Sequence, residues 1–470
     1  MIARVQRTPT IVWLGTVVLA ALMLRLAVLF RIPILATGDS ESYLGPAFDL
    51  ARGSGFDLSL KRTPGYPVFV AASIAAVGED LRALGFIQHL LGCLSAVLTF
   101  ALGRTVFGTA SGLLAGLSIA MHGGLLLSEQ SVMTEALFNP LIAASLTTLV
   151  MASRTGRYRW FTVAGLLIGI SVLTRPVAQS LIPLLAIAGA LTLAPWPRRA
   201  RLTLVGLAAY GLITVPWSVY TAADRDSAAI GSLGQSLVGR TARHDRGTFA
   251  ACYGQSADRA GDDNRRRAAL VLQQAADRGS SGKAINTRLR RELGLTAAEA
   301  DRLMRDIALE AIRCDVGEYL RGSLQRFVRL ASGSTERLTT LRGVSDVARR
   351  EWEDTDTRHL LPPATTAEDR SAAAAAILVA LYQPGYLGPL LPLLALVACA
   401  LAAWSPTHRP ALLLGLATVA LLAVSAALVG NVPRYRYPVD PLIAVLAAGA
   451  AGEIVQHLGH LAAHRGRRAT

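Results

Sequence analysis

Long apolar runs separated by short polar breaks recur along this chain, and they predict helices long enough to cross a bilayer. The first covers residues 11–30, about 30 Å of helix. Later runs of spanning length cover residues 84–103, 110–128, 133–151, 203–221, 386–404, 410–429 and 438–457. Residues 160–194 are too many for one crossing, and Arg175-Pro176 interrupts them near the middle, so they read as two short spans. The pattern therefore predicts ten spans. Residues 66–78 and 372–381 are apolar but too short to cross, and are expected as interfacial helices.

One long segment breaks the pattern. Residues 223–371 are polar and Arg-rich, too many for a loop without structure of its own. Thr296 followed by Glu299 reads as a capping box opening a helix to about Arg313, with Leu303, Ile307 and Ala311 on one face. A second amphipathic helix near residues 316–330 would place Leu320, Leu324 and Phe327 together. The fold class expected is an all-α polytopic membrane protein with interfacial helices and a small, mainly helical extramembrane domain. Residues 1–222 would hold seven spans with a first outer loop at 31–83, residues 223–371 the outer domain, and residues 372–470 three further spans.

Composition agrees with the pattern, since 52% of the 470 residues are hydrophobic and only 17% charged. The formal charge of +15 would suit nucleic acid in a soluble protein. Here it follows topology instead. With a cytoplasmic N-terminus, the short inner loops and the tail take up Arg104, Arg154, Arg157, Arg159, Arg198, Arg199, Arg201, Arg409 and Arg465, as the positive-inside rule requires. The N-terminal run is long and lacks a small-residue cleavage site, which suggests a retained anchor. Residues 223–371 carry 25 basic against 22 acidic side chains, close to neutral, and are expected outside. No nucleic-acid partner is expected. Localisation would be the bacterial inner membrane, with both termini cytoplasmic.

Of the four cysteines, Cys93 and Cys399 fall within spans, as small apolar packers. Cys252 and Cys314 share the outer domain. Two cysteines alone in an oxidising compartment could pair, though spacing cannot show that they approach.

Short outer loops normally carry few cations, yet Lys61, Arg62, Arg82, Arg175, Arg434 and Arg436 all fall at the outer edge, on the side of Asp39, Glu41, Glu129 and Glu135. Carboxylates and guanidiniums at one depth suit a reaction between an anionic lipid headgroup and a water-side acceptor. Arginine binds phosphate bidentately and stabilises the charge that develops on a leaving phosphate. A carboxylate can take the proton of an acceptor hydroxyl.

Plainer readings stand beside these. Asp39 could cap the helix that follows it, Glu135 could serve a helix dipole, and Arg62, Arg434 and Arg436 could be interfacial anchors. In an extended segment, Arg434 and Arg436 would share one face. Arg25 reads as a snorkelling side chain.

Five stretches in order, GDSESY at 38–43, RTPGYP at 62–67, SEQSVMTEALF at 128–138, TRP at 174–176 and PRYRYPVDP at 433–441, resemble the GT-C superfamily of membrane glycosyltransferases. The similarity is to the bacterial branch related to protein O-mannosyltransferases and the lipid A aminoarabinose transferase, and it covers roughly residues 10–220 and 385–458. It implies inverting transfer of a sugar from a polyprenyl-phosphate donor to a cell-envelope acceptor (glycan, lipid or protein). The family's catalytic acid falls on Asp39, with Tyr43 one turn on, and its second outer acid on Glu135, with Glu129 as the other candidate. Arg62, with Arg434 or Arg436, would hold the lipid phosphate, and Tyr66 and Arg175 would join the substrate site. The resemblance implies no obligatory metal; a divalent ion is the requirement of relatives that use oligosaccharide-diphosphate lipids. The rival reading is a lipid or polysaccharide transporter, which would more often carry ionisable groups within the spans.

Overall fold

The computed structural model describes residues 9–31, 34, 39–56, 62–223, 233–245, 247–280, 282–333, 387–405, 407–428 and 433–466. Among them the protein is all-helical, with no strand. Lys61 and the run at 372–381 lie outside the described residues.

Helices stand at all ten expected places. They are α1 (Thr10–Arg31), α4 (Leu81–Phe107), the bent pair α5 (Thr109–Ala120) and α6 (Gly123–Glu129), α7 (Glu135–Thr155), α8 (Tyr158–Thr174), α9 (Pro183–Ala190), α10 (Trp196–Ala223), α17 (Leu387–Trp404), α18 (Ala411–Leu428) and α19 (Asp440–Gly466). Six are long and apolar enough to cross unaided, or seven if α5 and α6 count as one span bent by 53°. Of the other three expected spans, α8 and the broken piece of a 3-10 turn (Pro176–Leu181) with α9 fall short of full span length, while α17 has 18 residues, as many as α18. Arg175 takes an extended conformation between α8 and that turn, and Pro176 cannot continue the hydrogen bonding of α8.

Two more helices, α2 (Glu41–Ala51) and α3 (Gly65–Val77), lie between α1 and α4. Their buried faces meet in a small apolar core of Tyr43, Leu44, Phe48, Tyr66 and Val70, closed by Leu84 and Val132. Small residues set the approach of the spans: a Cβ at Gly103 would meet the Cα of Gly112 at 2.9 Å, so α4 and α5 pack backbone to backbone. Alternating connections put Arg31, Leu81, Glu135, Thr174, Leu428 and Asp440 at one end of the bundle, called here the upper end.

Residues 233–332 form a helical unit of α11 (Leu233–Val238), a π-helical turn (Gly239–His244), α12 (Ala250–Asp258), α13 (Asp263–Arg278), α14 (Gly282–Leu293), α15 (Ala297–Cys314) and α16 (Val316–Ser332). It has its own core around Tyr253, Leu272, Met304 and Ile307. The capping box of Thr296 and Glu299 is present, and the carboxylate of Asp301 accepts the N–H groups of Gly234 and Gln235 at the start of α11.

Cys252 and Cys314 are joined in a disulfide across 62 residues, with Cα atoms 5.9 Å apart. Closing a loop of that length restricts the unfolded chain by about 4 kcal/mol in the loop-entropy account. Cys252→Ala is therefore expected to lower the unfolding temperature of this unit. Reductant should do the same to the wild type and nothing further to the variant, as read by thermal unfolding in detergent.

Candidate active site

The site gathers at the upper end, where the chain turns between α1 and α2. Asp39 precedes α2, whose N-cap is Ser40 without a side-chain capping bond, so Asp39 does not cap this helix. Its carboxylate bridges two arginines instead: Oδ1 accepts from Arg62 Nη2 at 2.7 Å and Oδ2 from Arg434 Nη2 at 2.8 Å. The side chain is 35% exposed, and those of Arg62 and Arg434 29% each, so water-side molecules reach all three.

Each partner is held from behind. Arg62 donates through Nε to Ser42 Oγ, and its guanidinium lies 4.4 Å over the Tyr43 ring. The turn that carries it is clamped to the end of α8, where Thr63 Oγ1 donates to the Thr174 carbonyl. Gly65 lies so near that a Cβ would fall 2.8 Å from the Leu173 carbonyl oxygen. Gly65→Ala is therefore expected to push the turn off α8 and move Arg62. Activity should fall at least tenfold while the unfolding temperature of the disulfide-bonded helical unit is unchanged; wild-type turnover in this variant would show that the contact yields freely.

Glu135 opens α7 and accepts from Arg175 Nη1 at 2.6 Å, while Thr134 Oγ1 donates to its other oxygen. Arg175 lies between the rings of Phe138 and Tyr435, at 5.5 and 5.2 Å. Three guanidiniums thus face two carboxylates, leaving one positive charge in excess.

Burial alone would raise the pKa of Asp39, but Arg434 and Arg62 more than offset it and bring it from 3.8 to about 2. For Arg434, burial disfavours the charge, yet Glu135, Tyr435 and Asp39 together raise its pKa. Among the described residues no group of three or more His, Cys, Asp or Glu side chains is placed to hold a metal ion. Both carboxylates nearest the site are already engaged by arginine.

Four residues sit otherwise than the sequence predicts. Arg436 does not join Arg434: it donates to Asp440 at 2.7 Å, and Asp440 also pairs with His122 at 3.2 Å. Pro433–Tyr435 is a turn of 3-10 helix, with about three residues per turn, so residues two apart do not share a face as they would in a strand. Tyr66 is fully buried, its hydroxyl donating to Gln88 Oε1 and its ring meeting Tyr43 edge-on at 5.2 Å; it supports the site from below and does not face it.

Arg25 does not snorkel, and Glu129 is not at the site. Arg25 Nη2 donates to Glu129 Oε1 at 2.8 Å, and Glu129 Oε2 lies 3.0 Å from His89 Nδ1. This pair is almost wholly enclosed, at 1% and 3% exposure. Arg25 Nη1 also donates to the Ala120 carbonyl, at the break between α5 and α6. The sequence reading passed over His89, Gln88 and Ser42; the Gln88-His89 pair inside a span was the available signal, because polar side chains there are rarely idle.

Residues 61–220 match the sequence profile of the dolichyl-phosphate-mannose-protein mannosyltransferase family. No curated protein matches the chain. Among solved structures, the archaeal oligosaccharyltransferase AglB from Archaeoglobus fulgidus, in complex with an inhibitory peptide and a dolichol-phosphate, is similar at 13% identity and a TM-score of 0.47, over 97% of this chain and 52% of that one. This chain thus spans about half the length of the archaeal protein. ArnT from Cupriavidus metallidurans, bound to undecaprenyl phosphate, is similar at 13% identity and a TM-score of 0.40, over 94% of this chain and 78% of that one. At these scores the likenesses carry nothing about activity.

Proposed function

We propose that this chain, a GT-C membrane glycosyltransferase by its ordered motifs and its mannosyltransferase-family match, moves a sugar from a polyprenyl-phosphate donor to an acceptor hydroxyl at the outer face of the bacterial inner membrane. The observation that carries this reading is the half-buried Asp39 carboxylate bridging Arg62 and Arg434 at the upper end of the spans. The acceptor oxygen forms a bond to the anomeric carbon while the bond from that carbon to the phosphate oxygen breaks. Asp39 takes the acceptor proton, and the electron pair leaves on the lipid phosphate, which Arg62 and Arg434 stabilise. Attack opposite the leaving group inverts the anomeric centre. Glu135 and Arg175 position the acceptor side of the site.

With its pKa near 2, Asp39 is a weak base while both arginines hold its carboxylate. A phosphate shares the same two guanidiniums and weakens their hold on the carboxylate, so donor binding itself would raise the basicity of Asp39. The upper end is then the outer face, and the disulfide of the helical unit agrees with an oxidising compartment.

The enclosed Arg25–Glu129–His89 group is what favours the transporter reading, since ionisable side chains among spans often line a path. Purified protein incubated with radiolabelled polyprenyl-phosphate sugars and an envelope extract separates the two. Acceptor-dependent release of free polyprenyl phosphate is expected; movement of intact donor across vesicles without its cleavage would replace the enzyme reading by the transporter.

A further inference from the structure

Helix α16, the last of the helical unit, packs on the membrane part through Leu330, Phe327 and Ala331, which join the core of the spans, and polar contacts mark both its ends. Near its start the Tyr319 hydroxyl donates to the carbonyl of Ala427, in the last turn of α18, at 2.8 Å. At its end Gly333 lies against the guanidinium of Arg436, which is paired with Asp440, the first residue of α19. Fourteen residues separate these anchors, about 21 Å of helix. Both anchors are upper-end residues of spans, so α16 runs across the end of the bundle and not down into it.

Around its axis, at about 100° per residue, the helix has three faces. Tyr319, Arg326 and Leu330 point to the protein, Leu330 with no exposure at all, and Phe327 and Ala331 pack partly against the core of the spans beside them. About a third of a turn away, Val316, Leu320, Leu324 and Val328 form a line at four-residue spacing, 47% to 64% exposed. The remaining face carries Arg321, Gln325 and Arg329, all exposed, with Arg321 also paired to Glu318 at 3.3 Å. Leu393 and Leu396 of the neighbouring α17 show the same exposure, 59% and 64%. A protein face, an apolar face and a basic face on one helix, held at the level where spans leave the bilayer, are what a helix at the rim of a membrane protein requires.

We propose that α16 is a membrane-surface helix: the line from Val316 to Val328 rests among the acyl chains of the leaflet at the upper end, and Arg321 and Arg329 sit at the headgroup phosphates. The leaflet is the occupant because the two anchors set the helix at its depth and the basic face suits anionic headgroups. The proposal rests on the membrane reading of the spans and stands whatever the chemistry of the site.

The test uses the full chain in vesicles of phosphatidylethanolamine and phosphatidylglycerol. Cys93→Ser and Cys399→Ser remove the free thiols, and a nitroxide is attached through Leu324→Cys, with Leu320→Cys as a second position and Gln325→Cys on the basic face. Collision with oxygen, which partitions into lipid, should exceed collision with a water-soluble nickel chelate several-fold at 320 and 324, and the ratio should reverse at 325. A label at 320 and 324 reached mainly by the nickel chelate would place this face in water and overturn the proposal. A label reached by neither would mean that protein covers it, either residues 334–386 or a second copy, and would overturn it equally. An unchanged unfolding temperature for the labelled protein shows that the fold is intact.

Discussion

Replacing Asp39 by Asn should cut sugar transfer at least a hundredfold, the usual minimum for loss of a general base, while leaving the lipid phosphate bound as tightly as before or tighter. The second half of this expectation follows from the geometry. Asp39 is the counterion that Arg62 and Arg434 share, so an amide there frees both guanidiniums for an incoming phosphate. Measured on the same preparation of Asp39→Asn, turnover should therefore fall while binding of polyprenyl phosphate holds or tightens. A purely structural Asp39 would lose both together, and a variant with full turnover would remove the residue from the mechanism.

The same pairing has a pH signature. The folded-state pKa, about 2, lies below the ordinary 3.8. The ionised carboxylate therefore stabilises the fold fully above about pH 4, and the contribution fades as the pH falls through about 2. Thermal unfolding of wild type and Asp39→Asn should converge over that range.

The other large effect is expected within the spans. Arg25→Met leaves the carboxylate of Glu129 enclosed without its guanidinium, and Glu129→Leu leaves the reverse. Removing one member of a buried ion pair costs about 3–5 kcal/mol, and with 1% and 3% exposure neither survivor can turn to water. The double variant should be less destabilised than the sum of the singles, because it strands no charge. Unfolding temperatures of the three variants in one detergent check this; strictly additive losses would mean that the pair is not coupled. Sugar transfer should fall with stability in the singles, since the Glu129 and Ser131 carbonyls accept from Gln88, and Ser40, beside Asp39, donates to the Val132 carbonyl.

Much of this architecture was legible from the sequence because the bilayer simplifies the problem: a run of about 20 apolar residues has few alternatives to a helix. Counting crossings put Asp39, Arg62, Glu135, Arg175 and Arg434 at one end of the bundle. Pairing was not legible. Arg25 and Glu129 stand 104 residues apart, and no local pattern announces that they meet. Arg434 and Arg436 looked equivalent because both suit a phosphate; only the 3-10 turn at Pro433 sends one to Asp39 and the other to Asp440. Tyr66 shared a motif with Arg62, but the helix that begins at Gly65 turns its ring inward. For Cys252 and Cys314, compartment and number suggested the bond, whereas their approach depends on how α12 packs against α15.

The contact between Asp39 and Arg434 joins residues 395 positions apart. During synthesis, Asp39 and Arg62 emerge early and can pair as soon as the first spans are inserted. Arg434 arrives only after the whole polar segment has been made and two later spans have followed it. A ribosome-bound chain thus has only one of the two arginines that flank Asp39. Arg434 comes just ahead of α19, so no chain still short of that helix can close the bridge from Arg62 through Asp39 to Arg434.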